Sequence, residues 1–111
     1  MQDALAAFAA IDIRTGTVVE AAPIAGARKP AYRLRIDFGP TLGVRTSCAQ
    51  LTQRYDMQAL VGKQVLGVVN LPVKRITGIS SEVLTLGVLD DAGAVVLVVP
   101  AARVADGSRL F

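Results

Sequence analysis

Histidine and tryptophan are absent from the 111 residues, and there is one cysteine, Cys48. Without histidine the commonest general base and a common zinc ligand are missing, which removes most hydrolytic mechanisms. A single cysteine makes neither an internal disulfide nor a thiolate metal cluster, and it agrees with a reducing compartment. Lying in Thr46-Ser47-Cys48-Ala49 with no base beside it, Cys48 reads as a small packed residue and not as a nucleophile. Glutamate is scarce as well: Glu20 and Glu82 are the only two among nine acids, and the aspartates stand singly apart from Asp90-Asp91 in a turn. The ten glycines never form a G-x-x-x-x-G-K or G-x-G-x-x-G loop ahead of a helix, so nucleotide binding finds no support. No catalytic residue, metal site or cofactor is therefore expected. Long apolar runs are missing too. The longest, Ala94 to Ala102, contains Pro100 and falls short of the roughly 18 residues a membrane span needs. The first ten residues carry Asp3 and no basic segment ahead of an apolar stretch, unlike a secretory signal. The expectation is a cytoplasmic protein.

What is present is an aliphatic chain: 52% of residues are hydrophobic but only 5% aromatic, so the core must be built from Val, Leu, Ile and Ala. The length suits one domain over residues 1–111. Twelve Lys and Arg against nine acids give a mild +3, yet the charge is unevenly placed. Between Ala21 and Arg54 the single acid Asp37 faces Arg28, Lys29, Arg33, Arg35, Arg45 and Arg54. One stretch is locally basic.

Asp3 ahead of Ala4-Leu5-Ala6-Ala7-Phe8 predicts a short helix whose Leu5 and Phe8 share a face. Too short to stand alone, it must dock on its own barrel or on a second copy of the chain. From Ile11 the period changes to two. Tyr32-Arg33-Leu34-Arg35-Ile36-Asp37-Phe38 alternates without a break, the mark of a strand with one buried face. Ile13 to Ala22 reads as a strand bent at Gly16, Leu42 to Ala49 as a third, Gln50 to Leu60 as a polar helical connection and Lys63 to Leu71 as a fourth strand. Glu82 to Leu89 and Ala94 to Val99 make a final hairpin through Asp90-Asp91-Ala92-Gly93. Five or six short strands with one helical insertion predict an all-β, OB-type Greek-key barrel with short N-terminal and connecting helices.

Val95-Val96-Leu97-Val98-Val99 breaks the alternation by placing large apolar side chains on both faces. Something must cover the outer face: the helix or tail of the same chain, or a two-fold partner. The second reading groups Leu5, Phe8, Val95, Leu97 and Val99 as a homodimer interface.

Two basic pairs sit beside turns, Arg28-Lys29-Pro30 and Lys74-Arg75, the latter in the loop Leu71 to Ser80. In barrels of this type such loops border the ligand face. With Arg33 and Arg35 outward on their strand and Arg45 near, a polyanion could lie across the barrel wall; the plainer alternative is a solvated basic face. Tyr32 and Tyr55 are the only aromatic residues placed as stacking platforms, too few for general single-strand binding.

Asp12-Ile13-Arg14-Thr15-Gly16-Thr17-Val18-Val19-Glu20-Ala21, Asp37-Phe38-Gly39, Gly62-Lys63-Gln64-Val65, Val68-Val69-Asn70-Leu71-Pro72, Lys74-Arg75-Ile76-Thr77-Gly78 and Ser81-Glu82-Val83-Leu84 together resemble the tRNA-binding domain appended to some methionyl- and phenylalanyl-tRNA synthetases. Ala27-Arg28-Lys29-Pro30-Ala31 and Ser47-Cys48-Ala49-Gln50-Leu51-Thr52-Gln53-Arg54-Tyr55 resemble one branch of that family, the bacterial CsaA-type chaperones. The resemblance implies an OB barrel dimerised through its terminal elements, with tRNA contact through Asn70, Lys74, Arg75 and Ser81. Tandem Ser81-Glu82-Val83-Leu84 departs from the Ser-Glu-Gly-Met of tRNA-binding relatives. The branch implies binding of unfolded or export-bound polypeptides without ATP; a stand-alone tRNA-binding protein is the other reading.

Overall fold

In the computed structural model, which describes residues 3–111, the architecture is the expected OB-type barrel of short strands. Helix α1 (Ala4–Ala10) is capped by Asp3, whose carboxylate accepts from the Leu5 amide. It leads into β1 (Ile13–Pro23), which pairs antiparallel with β2 (Tyr32–Asp37) over its second half and with β4 (Gln64–Val68) over its first. A single turn, α2 (Gly39–Leu42), joins β2 to β3 (Val44–Ala49), and α3 (Met57–Leu60) precedes β4. The five-stranded sheet runs β3-β2-β1-β4-β7, with β7 at Leu84–Thr85. Its ends meet where the Glu82 amide donates to the Thr46 carbonyl and the Ser47 hydroxyl reaches the Val83 carbonyl, each at 2.8 Å. Two hairpins complete the molecule: β5 (Lys74–Ile76) with β6 (Ile79–Ser81), and β8 (Gly87–Leu89) with β9 (Val95–Leu97).

The core follows the alternation of β2. Leu34, Ile36 and Phe38 are sealed, together with Val18, Leu51, Leu60, Val65 and Val83. Gly16 sits in regular register with Val65, so the bend expected there lies instead at Val19, where the pairing with β2 slips by one residue. Gly16 has a different reason to be small: a Cβ there would lie 2.6 Å from Ile36 and 2.7 Å from the Phe38 ring. Gly67 meets the same ring, its Cβ falling 3.1 Å from Phe38 Cζ. The one large core aromatic occupies the room left by two glycines.

Several boundaries differ from the sequence reading, each for a local reason. Leu42 closes the α2 turn, so the third strand begins at Val44. Helix is confined to Met57–Leu60 within 50–60, because the Asp56 cap starts it only there; residues 52–54 form a turn. The stretch read as strand 82–89 divides at Leu86, which bridges two partners: its amide donates to Leu66 and its carbonyl accepts from Val98. The fourth strand ends at Val68, and residues 74–81 form a hairpin instead of an open loop.

That hairpin turns on Thr77-Gly78, with φ of 48° and 79°. A two-residue turn with positive φ at both positions suits Asn-Gly and strains a β-branched threonine. Thr77→Asn is expected to stabilise the fold by about 1 kcal/mol, raising Tm by roughly 3–6 °C. An unchanged Tm would mean that the hairpin opens before the barrel does.

The C-terminal segment straps the first strand along the edge that β2 leaves free. Thr15 exchanges backbone hydrogen bonds with Ser108 and Gly107, and the Leu110 amide donates to Ile13. Buried Gln64 behaves like a peptide group: its carboxamide donates to the Val104 carbonyl and accepts from the Val104 amide. Beside the strap, Asp12 accepts from Arg14 at 2.6 Å and lies 3.6 Å from Arg109. The hydrogen bond from Arg14 holds the Asp12 carboxyl below its ordinary range, aided by both charges and opposed by partial burial. A carboxyl depressed in the folded state stabilises above its unfolded pKa and loses that contribution as pH falls through the folded value. The stability gap between wild type and Asp12→Asn should therefore be full from pH 5 to 8 and shrink below about pH 4, as read by urea unfolding at stepped pH.

Candidate functional site

Strand parity decides which basic residues can act together. Phe38 donates to Gly43 across the β2–β3 turn, and the register continues through Ile36↔Arg45, Leu34↔Ser47 and Arg33↔Cys48. Directly paired residues share a face of the sheet. Arg33 and Arg35 thus stand outward with Cys48 and Thr46, whereas Arg45 shares the inward face with Ile36 and donates to the Leu42 carbonyl at the barrel rim. Arg33 is paired with Glu20 at 2.6 Å, and Arg35 donates to the Thr46 hydroxyl. The proposed row of three arginines is really two.

A groove of about 650 Å³ opens over the outer face at the end of β3. Its floor is Cys48, Ala49 and Gln50; Ala27, Arg28, Lys29 and Ala31 form one wall, and Lys74, Ile76 and Thr77 the other. The two basic loops thus face each other across one space. Gly26 brings them close, since a Cβ there would lie 3.5 Å from Thr77 Cγ2. Alternation along β5 turns Lys74 and Ile76 toward the groove and Arg75 away, where it reaches the Ser80 hydroxyl at 3.3 Å. Ser81, opposite Lys74, lines an adjoining cavity of about 300 Å³ and accepts from the Cys48 amide at 3.0 Å.

Of the residues the resemblance marks for tRNA, Lys74 and Ser81 reach this region. Asn70 does not: its side chain accepts from the Asp12 amide and donates to the Ala10 carbonyl, clamping the end of α1 to the barrel. Neither tyrosine is a stacking platform. Tyr32 donates to the Tyr55 carbonyl, Tyr55 accepts from the Leu97 amide, and both rings pack on the core. Cys48, a packed residue by its sequence setting, is half-buried in the groove floor, where burial pushes its thiol up against the opposing pull of Ser81 and Arg33. The sequence signal for this floor is the small Cys48 on the outward face, flanked by Ser47 and Ala49, whose side chains turn inward.

The residues grouped as a partner-facing surface also divide. Leu97 is 7% exposed and belongs to this chain's own core, with Val95 packed against it. Leu5, at 75%, Phe8 and Val99 are exposed, joined by Val88 and Leu89 on β8. Helix α1 is therefore held by polar clamps at its end, including Arg109 to the Ala9 carbonyl, and not by its apolar face. Among the described residues no group of three or more His, Cys, Asp or Glu could hold a metal ion, and no helix is long and apolar enough to cross a membrane.

Residues 13–109 match the family described as "Putative tRNA binding domain". The chain belongs to the tRNA-binding-domain family. It is similar over its whole length to the chaperone CsaA of Bacillus anthracis str. Ames, at 43% identity and TM-score 0.92, with 100% of both chains covered. The CsaA chaperone protein of Picrophilus torridus is 37% identical, with TM-score 0.92 over 99% of this chain and 100% of that one. A methionine–tRNA ligase of Porphyromonas gingivalis (strain ATCC 33277) is 42% identical over 103 residues, 93% of this chain. This member of the tRNA-binding-domain family spans only 15% of that ligase's length. Segment 27–31 contributes one wall of the groove, and residues 48–50 of segment 47–55 its floor.

Proposed function

We propose that the protein is a cytoplasmic, ATP-independent chaperone that holds unfolded or export-bound polypeptides in the groove between its two basic loops, acting as a homodimer and without catalysis. The observation that carries this reading is the groove itself, a wide opening with small apolar residues on its floor and cations on its walls. Such a lining accepts varied side chains and keeps the bound segment hydrated at its edges. Similarity to CsaA chaperones over the whole chain supports it. Dimerisation would cover the exposed Leu5, Phe8 and Val99. A further cavity lined by Lys29, Gln50, Leu89 and Val95 adjoins the groove. The test is light scattering of a chemically denatured client: stoichiometric suppression without ATP is expected, and no suppression at any ratio removes the reading. Sedimentation at micromolar concentration tests the dimer, which a compact monomer would exclude.

A second reading, tRNA binding, is favoured by the family match and by Arg28, Lys29 and Lys74 around one opening. In this reading the groove tracks a phosphate backbone by charge and shape, because the tyrosines are engaged elsewhere.

A further inference from the structure

Three cavities on this side of the barrel adjoin one another, because neighbours share lining residues. The central one shares Cys48, Gln50, Lys74 and Ile76 with the cavity beyond Ser81, and Lys29 and Gln50 with the cavity toward β8. Their chemistry is not uniform along this path. The central section is cationic, with Arg28, Lys29 and Lys74 on its walls and no carboxylate in its lining. One end is mainly aliphatic, with Leu71, Pro72 and Leu84 exposed beside Glu82, and Lys74 at its junction with the centre. At the other end lie Pro30, Leu89 and Val95 among the neutral polar residues Thr52 and Gln53. Leu84 and Leu89 are 51% and 69% exposed, so each end presents an apolar side chain to whatever lies in the groove.

Resting on the polypeptide-binding reading above, we infer that the preferred ligand is an extended polypeptide segment with acidic residues at its centre and aliphatic residues at both ends. Among the described residues Arg28, Lys29 and Lys74 form no ion pair, and three such cations repel a lysine- or arginine-rich segment and attract carboxylates. The small floor of Ala49 and Cys48 leaves room for a main chain lying close to β3. The two ends offer aliphatic anchor sites, which an RNA strand has no groups to fill. The groove thus selects by a three-part pattern, apolar–acidic–apolar, with its cations gathered at the centre and at the two junctions, Lys74 on one side and Lys29 on the other.

The test uses three fluorescent peptides of one length against the intact protein: an acidic centre with leucine and valine ends, the same ends with a lysine centre, and the same acidic centre with serine ends. The first is expected to bind about ten-fold more tightly than either of the others. Lys74→Gln should reduce its advantage over the lysine peptide, and Arg28→Gln, Lys29→Gln and Lys74→Gln together should erase it. Leu84→Ser with Leu89→Ser should erase its advantage over the serine-ended one. Saturation with the first peptide should also slow the reaction of Cys48 with a thiol reagent. Binding of all three within two-fold overturns the inference. So does bulk tRNA binding that Lys74→Gln abolishes when no peptide binds, which would assign the groove to RNA. If the same variants leave client aggregation suppressed as in wild type while peptide preference is absent, the chaperone reading survives and the groove assignment falls.

Discussion

Phe38→Ala is expected to cost about 3–5 kcal/mol, a large part of the total stability of a domain this size. The ring is 1% exposed and lies against the positions of Gly16 and Gly67, so its removal leaves a void lined by backbone that cannot collapse inward. The converse change is costly through the same contact. Gly16→Ala places a Cβ within 2.6–2.8 Å of Ile36 and Phe38, and such overpacking costs roughly 1–3 kcal/mol. The two changes should be non-additive: in the Phe38→Ala background the two ring contacts have gone while that with Ile36 at 2.6 Å remains, and Gly16→Ala should cost measurably less. A double-mutant cycle by urea unfolding measures the coupling, and additive costs would mean that the ring does not fill the space above Gly16.

The second large effect concerns polyanion binding. Replacing Arg28, Lys29 and Lys74 together by glutamine should weaken tRNA binding by about a hundred-fold near physiological salt. It should also flatten the dependence of log K on log salt by roughly 2–3, since each phosphate contact contributes about 0.7–0.9 to that slope. Arg75→Gln, on the far side of the β5–β6 hairpin, should change the slope by far less than Lys74→Gln does. Equal effects from the two single variants would show that the hairpin does not present one face to the ligand. None of these side chains is buried in the core, so Tm should stay near the wild-type value and separate a binding defect from a folding one.

The alternating strand from Tyr32 to Asp37 was readable because one buried face imposes a period of two on six successive residues. The overall barrel followed from the number and spacing of such segments. Strands of two or three residues carry too few positions for a period, so β5, β6 and the break at Leu86 were invisible. The two basic pairs were visible as composition, but their convergence was not: Lys29 and Lys74 are brought together by the barrel closing, which no local window contains. Parity separated Lys74 from Arg75, and it could have been applied only once residues 74–76 were known to be extended. Gln64 reads as a polar interruption of an apolar strand, and the reason it is tolerated lies forty residues away at Val104. The homodimer surface was inferred from a strand apolar on both sides, and half of that excess turned out to serve the chain's own interior through Leu97 and Val95.

The strap gives the chain a particular order of assembly. Its links join residues 104–110 to residues 13–17 and 64, and pairings of such long sequence separation are entropically the last to form. Until they do, the polar groups of Thr15 and Gln64 face water, and docking exchanges that water for Ser108, Gly107 and Val104. The closing segment thus works as a latch whose engagement dries and shields the first strand's open edge.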